Sequence, residues 1–423
     1  MLGWSANPFF ASPNGIAQAF SLQSGFPQNF AHPPFSGPSS ANLSSVTYVT
    51  PASAPPYIQS WNFGIERELS PSTRLSVAYV GNKGTRLYLP GSNLQYLPLS
   101  DLALGSLLQD NINDPAVQAQ GFKPPYPTFA SDYGTGATLA RALIAFPQYQ
   151  GVNILNATTG YSNYNSLQAV LQKKFSSGLQ FTVTYTASKA LGDADNAQWQ
   201  ASGYQTFNDL KREKSVTSFD VPNNLEISYL YELPIGRGKR FLQHASGPLG
   251  QVISGWEVTG TNTYMSGFPL SLSGYCPSLA LNFAGACRPE LTGSGPLKGP
   301  GASQVDPNNG LPYINPAAFT LPPPYSYGDT ERNMSRLRGF PTYAENLGIV
   351  KNFRLKESAE VQFRMETFNL FNRVKFNDPS TSVGSYDPTQ PGNIARDPTF
   401  GYYVGQSGTV PPRVIQFVLK IIY

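Results

Sequence analysis

The chain has 423 residues, of which 13% are charged and 13% aromatic, and its net charge of +4 is not gathered into basic clusters. That balance does not point to nucleic acid. No uninterrupted apolar run reaches the roughly 18 residues of a helical span, so helical membrane crossing is excluded. Low charge with 24 Tyr and 26 Phe suits a surface facing lipid, while the negative mean hydropathy suits strands in which every second residue is polar.

Residues 1–56 are rich in Pro, Ser, Asn and Phe, lack a sustained period, and read as an irregular loop segment from a preceding hairpin, with at most a short strand at Ser45–Val49. The first ten residues have neither a basic stretch nor an apolar core of the kind a secretory leader needs. Strand alternation begins at Trp61, Phe63, Ile65 and Leu69, set against Asn62, Gly64, Glu66 and Glu68. Ser70-Pro71-Ser72 turns the chain, and Leu75, Val77 and Tyr79 return before Gly81-Asn82-Lys83-Gly84.

A connection from about 88 to 162 follows, with weak helices expected at Pro115–Gln120 and Thr138–Ala145. The next hairpin is the clearest: Leu167, Ala169, Leu171 and Phe175 oppose Gln168, Gln172 and Lys174. Ser176-Ser177-Gly178 turns it, and Leu179, Phe181, Val183, Tyr185 and Ala187 come back. After a polar stretch, Leu225, Ile227, Tyr229, Tyr231 and Leu233 alternate with Glu226, Ser228 and Glu232. Pro234–Arg240 reads as a turn, and Trp256, Val258, Gly260 and Tyr264 lead back opposite Glu257, Thr259, Thr261 and Thr263. A long loop from about 273 to 342 precedes Leu347, Ile349, Phe353 and Leu355. Past the Lys356-Glu357-Ser358 turn, Val361, Phe363 and Met365 oppose Gln362, Arg364 and Glu366.

The last strand runs to the terminal residue. Ile415, Phe417, Leu419, Ile421 and Tyr423 share one face; Val414, Gln416, Val418, Lys420 and Ile422 share the other. Its length matches the roughly 9–11 residues of a transmembrane strand. About nine such strands are expected, joined alternately by short and long connections, as in transmembrane barrels with short periplasmic turns and long extracellular loops. A soluble sandwich also alternates, but it does not require this asymmetry. The expected fold is therefore all-β: residues 57–423 form the C-terminal portion of an antiparallel outer-membrane β-barrel of Gram-negative type. A barrel needs a leader to reach that membrane, so the chain is expected to be part of a longer precursor.

Candidate chemistry is sparse. His32 and His244 lie far apart in sequence, which gives no support for a metal cluster or a Ser/His/Asp set. Asp193 and Asp195 lack the Gly and distal Glu of a calcium loop. Gly236-Arg237-Gly238-Lys239-Arg240 lacks Walker spacing and reads as a basic turn near anionic headgroups. Neither an enzyme nor a cofactor site is expected. Cys276 and Cys287, in one loop, are candidates for a disulfide formed in an oxidising compartment. Glu66, Glu68, Gln168, Lys174, Glu226, Glu257, Gln362, Arg364, Glu366 and Lys420 form a polar set expected to face the lumen. There they either line a solute path or satisfy one another across the wall. Lys351 is in phase with the lipid-facing set, where snorkelling relieves a charge only near an interface.

Four stretches carry a family resemblance: Glu66-Arg67-Glu68-Leu69 with Val77–Leu87, Tyr231–Phe241, Arg364–Asn372, and Pro412–Phe417. Together they resemble the barrel of Oar-like TonB-dependent outer-membrane receptors. The resemblance implies a 22-stranded barrel filled by an N-terminal plug, importing a bound ligand with energy from the TonB system. By the same resemblance, the expected partners are outer-membrane lipid, a plug and remaining barrel strands supplied from elsewhere, TonB, and a ligand whose class (carbohydrate, peptide or chelated metal) stays open. A surface barrel acting as an adhesin or polymer binder, without energised import, is the competing reading.

Overall fold

The computed structural model describes residues 20–25, 42–50, 54–89, 93–155, 157–194, 204–276, 286–303, 310–356, 359–390, 394–406 and 411–422. Nine long strands form one antiparallel sheet in sequence order. They are β1 (Tyr57–Ser70), β2 (Thr73–Leu87), β3 (Gly160–Ser176), β4 (Leu179–Gly192), β5 (Asn223–Glu232), β6 (Trp256–Met265), β7 (Thr342–Lys356), β8 (Ala359–Phe368) and β9 (Val414–Ile422). The pair Ser215–Val216 adds to the end of β4. Among the described residues, β1 and β9 are the two edges and do not pair with each other, so the sheet is open.

Alternation decides the faces, because successive side chains of a strand point to opposite sides. The row Leu75–Leu171–Val183–Ile227 is apolar, and its neighbour Arg74–Gln172–Thr182–Ser228–Thr261–Asn346 is polar. Two glycines have a packing reason on the apolar face. Gly81 lies opposite Trp61 and Gly260 opposite Tyr229. A Cβ on Gly81 would sit 2.2 Å from the Trp61 ring nitrogen, and one on Gly260 would sit 2.4 Å from the Tyr229 ring. Each aromatic ring lies flat across the glycine.

The Ser177-Gly178 turn has φ of 54° and 79° at its two residues, the paired positive values of the hairpin turn that matches strand twist. β2 runs past the Gly81–Gly84 stretch that reads as its end. Both neighbours hydrogen-bond that backbone, and Asn82 Nδ2 donates to Ser60 Oγ at 2.9 Å. A further departure lies between β5 and β6. The Pro234–Arg240 turn is only the start of a longer connection that contains the helix Gly247–Ile253.

The buried apolar residues gather in the long connections rather than in the sheet. One cluster, within the β2–β3 connection, centres on Leu108, Ile112, Val117, Phe129 and Leu139. The short helices Pro115–Ala119 and Leu139–Leu143 both contribute, the second capped by Thr138 Oγ1 accepting from Arg141 N. Ser45–Val49 pairs in parallel with Gly151–Leu155 beside it. The second cluster joins the β6–β7 and β8–β9 connections through Ile314, Phe319, Leu337, Val383 and Phe400. Leu102 packs against both, so the connections form a folded cap at the long-loop end.

Candidate ligand-binding face and cap

The polar face carries a continuous hydrogen-bond chain across β6–β9. Asn352 Nδ2 donates to Glu257 Oε1 (2.9 Å), Gln362 Nε2 to Asn352 Oδ1 (2.9 Å) and Arg364 Nε to Gln362 Oε1. Arg364 also stands 3.8 Å from Glu366, whose other oxygen accepts from Gln416 Nε2. On the other flank Arg74 lies 3.3 Å from Glu66 and 3.4 Å from Gln172. Between these networks a cavity of about 420 Å³ opens, with Thr182, Ser228, Thr259, Thr261, Asn346 and Glu366 in its lining. Its floor is kept low by Gly348, where a Cβ would meet Thr259 Oγ1 at 2.4 Å. Hydroxyls and amides share this lining with Phe181, Leu230 and Phe368, and Glu366 adds a carboxylate, so the cavity offers hydrogen bonds to a polar solute beside apolar surface.

The sequence-derived polar set is placed as follows. Glu66 and Glu226 share one row, and Glu68 lies on the next with Arg74. Gln168 lies opposite Ala78 and Thr186 and donates to Ser166 Oγ at 3.3 Å. Glu257 faces Glu232 and Val350; Gln362 faces Asn352 and Lys420; Glu366 faces Gly348 and Gln416. Lys174 falls inside the register irregularity between Lys173 and Ser176 and belongs to no row. Ile415, Phe417, Leu419 and Ile421 share the exposed opposite face of β9, with Leu419 68% accessible. Tyr423, His32 and Asp195 lie outside the described residues. His244 is exposed beside Gln243.

Two charged residues of β7 stand on the apolar face, and both are satisfied locally. Glu345, opposite Asn262, accepts from Arg373 Nε through both oxygens at 3.0 and 2.9 Å. The Arg373 guanidinium also covers the Tyr343 and Phe371 rings. Lys351, 2% accessible, sits in the row with Trp256, Phe363 and Leu419, so its phase is as the sequence indicates. Its relief is not snorkelling but enclosure. Nζ donates to the carbonyls of Gln251 (2.7 Å), Ser254 and Asn352 (3.1 Å) and lies 4.2 Å from the Phe353 ring centre.

The cap is tied by buried ions that no local spacing in the sequence reveals. Arg288 Nη1 lies 2.6 Å from Glu213 Oε2, and Glu213 Oε1 accepts from the backbone N–H groups of Gln205 and Thr206. Burial holds the Arg288 pKa below its ordinary value, with Glu213 pulling against that shift. Arg332 donates to the Glu213 and Gly192 carbonyls at 3.1 and 3.0 Å. Arg338 pairs with Asp220 at 2.5 Å. The Tyr313 phenol, pushed up to about 12 chiefly by burial, stays protonated and donates to Arg338 O at 2.6 Å. In the same cap the Cys276 and Cys287 sulfurs lie at bonding distance, with Cα atoms 5.6 Å apart. Among the described residues no group of three or more His, Cys, Asp or Glu side chains is placed to hold a metal ion.

A polar face backed by an apolar one, on strands whose connections form a folded cap at one end and, apart from the β5–β6 connection, short turns at the other, describes an outer-membrane barrel wall. The model of the outer membrane beta barrel domain family matches residues 4–416, and the chain belongs to that family. It is an antiparallel outer-membrane β-barrel domain, located in the outer membrane. Solved structures similar to it include the outer membrane transporter YddB from Escherichia coli, at 7% identity over 90% of this chain and 34% of that one, TM-score 0.38. The ferric citrate transporter FecA is similar at 9% identity over 86% and 31%, TM-score 0.33. The ferripyoverdine receptor of the Pseudomonas aeruginosa outer membrane is similar at 10% over 87% and 27%, TM-score 0.33. The chain thus spans about a third of the length of these proteins. No curated protein matches.

Proposed function

We propose that the chain is the C-terminal barrel portion of an Oar-like, TonB-dependent-type outer-membrane receptor, in which residues 1–56 belong to the preceding hairpin. In this reading the apolar rows face lipid and the polar rows face the lumen. The short turns are periplasmic, and the cap is the extracellular, ligand-receiving surface. The family motifs at Val77–Leu87, Tyr231–Phe241, Arg364–Asn372 and Pro412–Phe417 support the receptor assignment. The observation that carries ligand binding is the cap itself: its connections share apolar cores and the buried Arg288–Glu213 pair. Loops pre-ordered in this way lose little conformational entropy when a solute binds.

The test compares cells with and without the gene for uptake of labelled oligosaccharides, peptides and ferric chelates, before and after a protonophore. Gene-dependent uptake that collapses with the protonophore supports an energised receptor. Gene-dependent surface binding that the protonophore leaves intact, without uptake, favours the adhesin reading and overturns import.

A further inference from the structure

The connection between β5 and β6 presents apolar side chains where a solvent-facing turn would not. Gly236 N donates to Phe241 O and Phe241 N to Pro234 O, both at 2.9 Å, so the chain doubles back with Arg237–Arg240 at its tip and the Phe241 and Leu242 side chains exposed at its base. Leu242 is 61% accessible and held at φ 57°, a left-handed conformation that leucine seldom adopts. Arg237 and Arg240 are exposed around this tip, and the Arg240 guanidinium lies 5.5 Å from the Phe241 ring centre. Lys239 is instead engaged by Glu232 at 2.6 Å.

The helix Gly247–Ile253 follows. Gly250 is its buried contact, with no room for a Cβ beside the Ala245 carbonyl at 2.7 Å, while Leu249 and Val252, 67% and 58% accessible, are exposed. The helix is anchored to the apolar side of the sheet. Trp256 Nε1 donates to Val252 O at 2.8 Å, Lys351 Nζ donates to Gln251 O, and both Trp256 and Lys351 lie on an apolar-face row. Beyond that row the apolar face continues through Phe353, Val361 and Ile421. The exposed leucine and valine of the helix therefore extend the surface that faces lipid.

We propose that Leu233–Gly255 is an interfacial foot that binds anionic phospholipid of the periplasmic leaflet. Phe241, Leu242, Leu249 and Val252 enter the boundary of the acyl chains, and Arg237 and Arg240 meet headgroup phosphates. Apolar residues flanked by cations on a short amphipathic element have this affinity for an anionic interface. The enclosure of Lys351 by the helix fixes the foot at its depth and removes a charge from the lipid face. The inference rests on the apolar face being the lipid face.

The test uses the full chain, with Cys276 and Cys287 oxidised, in vesicles of phosphatidylethanolamine and phosphatidylglycerol. Spin labels are placed singly at Leu242→Cys, Leu249→Cys, Leu419→Cys and Asn113→Cys, the last an exposed cap position. Labels at 242 and 249 are expected to collide with oxygen more than with a water-soluble nickel chelate, as at 419 and unlike 113. Water-like ratios at 242 and 249 with a lipid-like ratio at 419 overturn the foot alone. A water-like ratio at 419 overturns the lipid-face assignment and the foot with it. R237Q with R240Q is expected to shift the 242 label several-fold toward water in these vesicles but not in phosphatidylcholine. An unchanged ratio overturns the anionic-headgroup contact.

Discussion

Arg288 and Glu213 meet at 2.6 Å across 75 residues of sequence, and neither side chain is more than 2% accessible. The pair joins the connection after β4 to the connection after β6. Removing one member strands the other charge in a site that holds no water-facing surface, which costs about 3–5 kcal/mol. Glu213→Ala is expected to make the cap labile to protease near residues 205–217 while the sheet keeps its infrared signature. Replacing both with apolar residues of similar volume, Glu213→Leu with Arg288→Met, should restore much of the resistance. Equal lability in the single and double variants would count against the pair as a closed electrostatic unit.

Position by position, the two faces of the sheet should tolerate charge differently. Val183 lies in the apolar row and Thr182 beside it in the polar one. Val183→Arg is expected to lower folding stability in lipid vesicles by about 2–4 kcal/mol if the row sits near mid-depth, and Thr182→Arg by far less. Urea titration of vesicle-inserted protein reads the difference. Similar losses at both sites would contradict the facing assignment.

Cys276 and Cys287 are both buried in the second cap cluster, and Gly274 N donates to Cys287 O at 3.1 Å. A disulfide here closes a short loop and limits the unfolded cap, a contribution of roughly 3 kcal/mol in the chain-entropy account. Maleimide is expected to label the folded protein only after a reductant is added. The variant C276S with C287S should then show faster proteolysis around the second cluster and unchanged sheet content. Labelling without reductant would show free thiols instead.

The cap also has a pH dependence of defined sign. Burial pushes the Asp378 carboxyl above its ordinary value, with the Phe340 N–H and Lys375 pulling it partly back. A raised carboxyl pKa means that the folded cap holds the proton more tightly than the unfolded chain. Its contribution is therefore most favourable below the unfolded value and is lost as pH rises through the raised one. Asp378→Asn is expected to make the cap more protease-resistant at neutral pH and to flatten its profile above the ordinary aspartate range. Asp397, held low by the Thr399 hydroxyl and N–H, acts with the opposite sign. Its contribution is present above the unfolded value and fades as pH falls through the lowered one.

Much of the barrel wall was legible in the residues alone. The positions of the nine strands and the phase of Lys351 with the apolar row follow from period-two alternation. Strand ends were less legible. β2 continues through Gly81–Gly84 because its backbone is paired on both sides, which no local signal reports. The helix Gly247–Ile253 was not legible: seven residues containing two glycines and a proline carry no helical pattern, and contacts with Trp256 and Lys351 hold it in place.

Alternation, then, is what the sequence by itself determined, since each residue's face depends only on its parity within a strand. It decided the strands and the two faces. The cap was decided only by tertiary structure. Glu213 reads as one more charge in a polar loop until Arg288 and Arg332, 75 and 119 residues away, are brought to it. Such partnerships depend on how separate connections pack over one sheet, and no spacing along the chain encodes that packing.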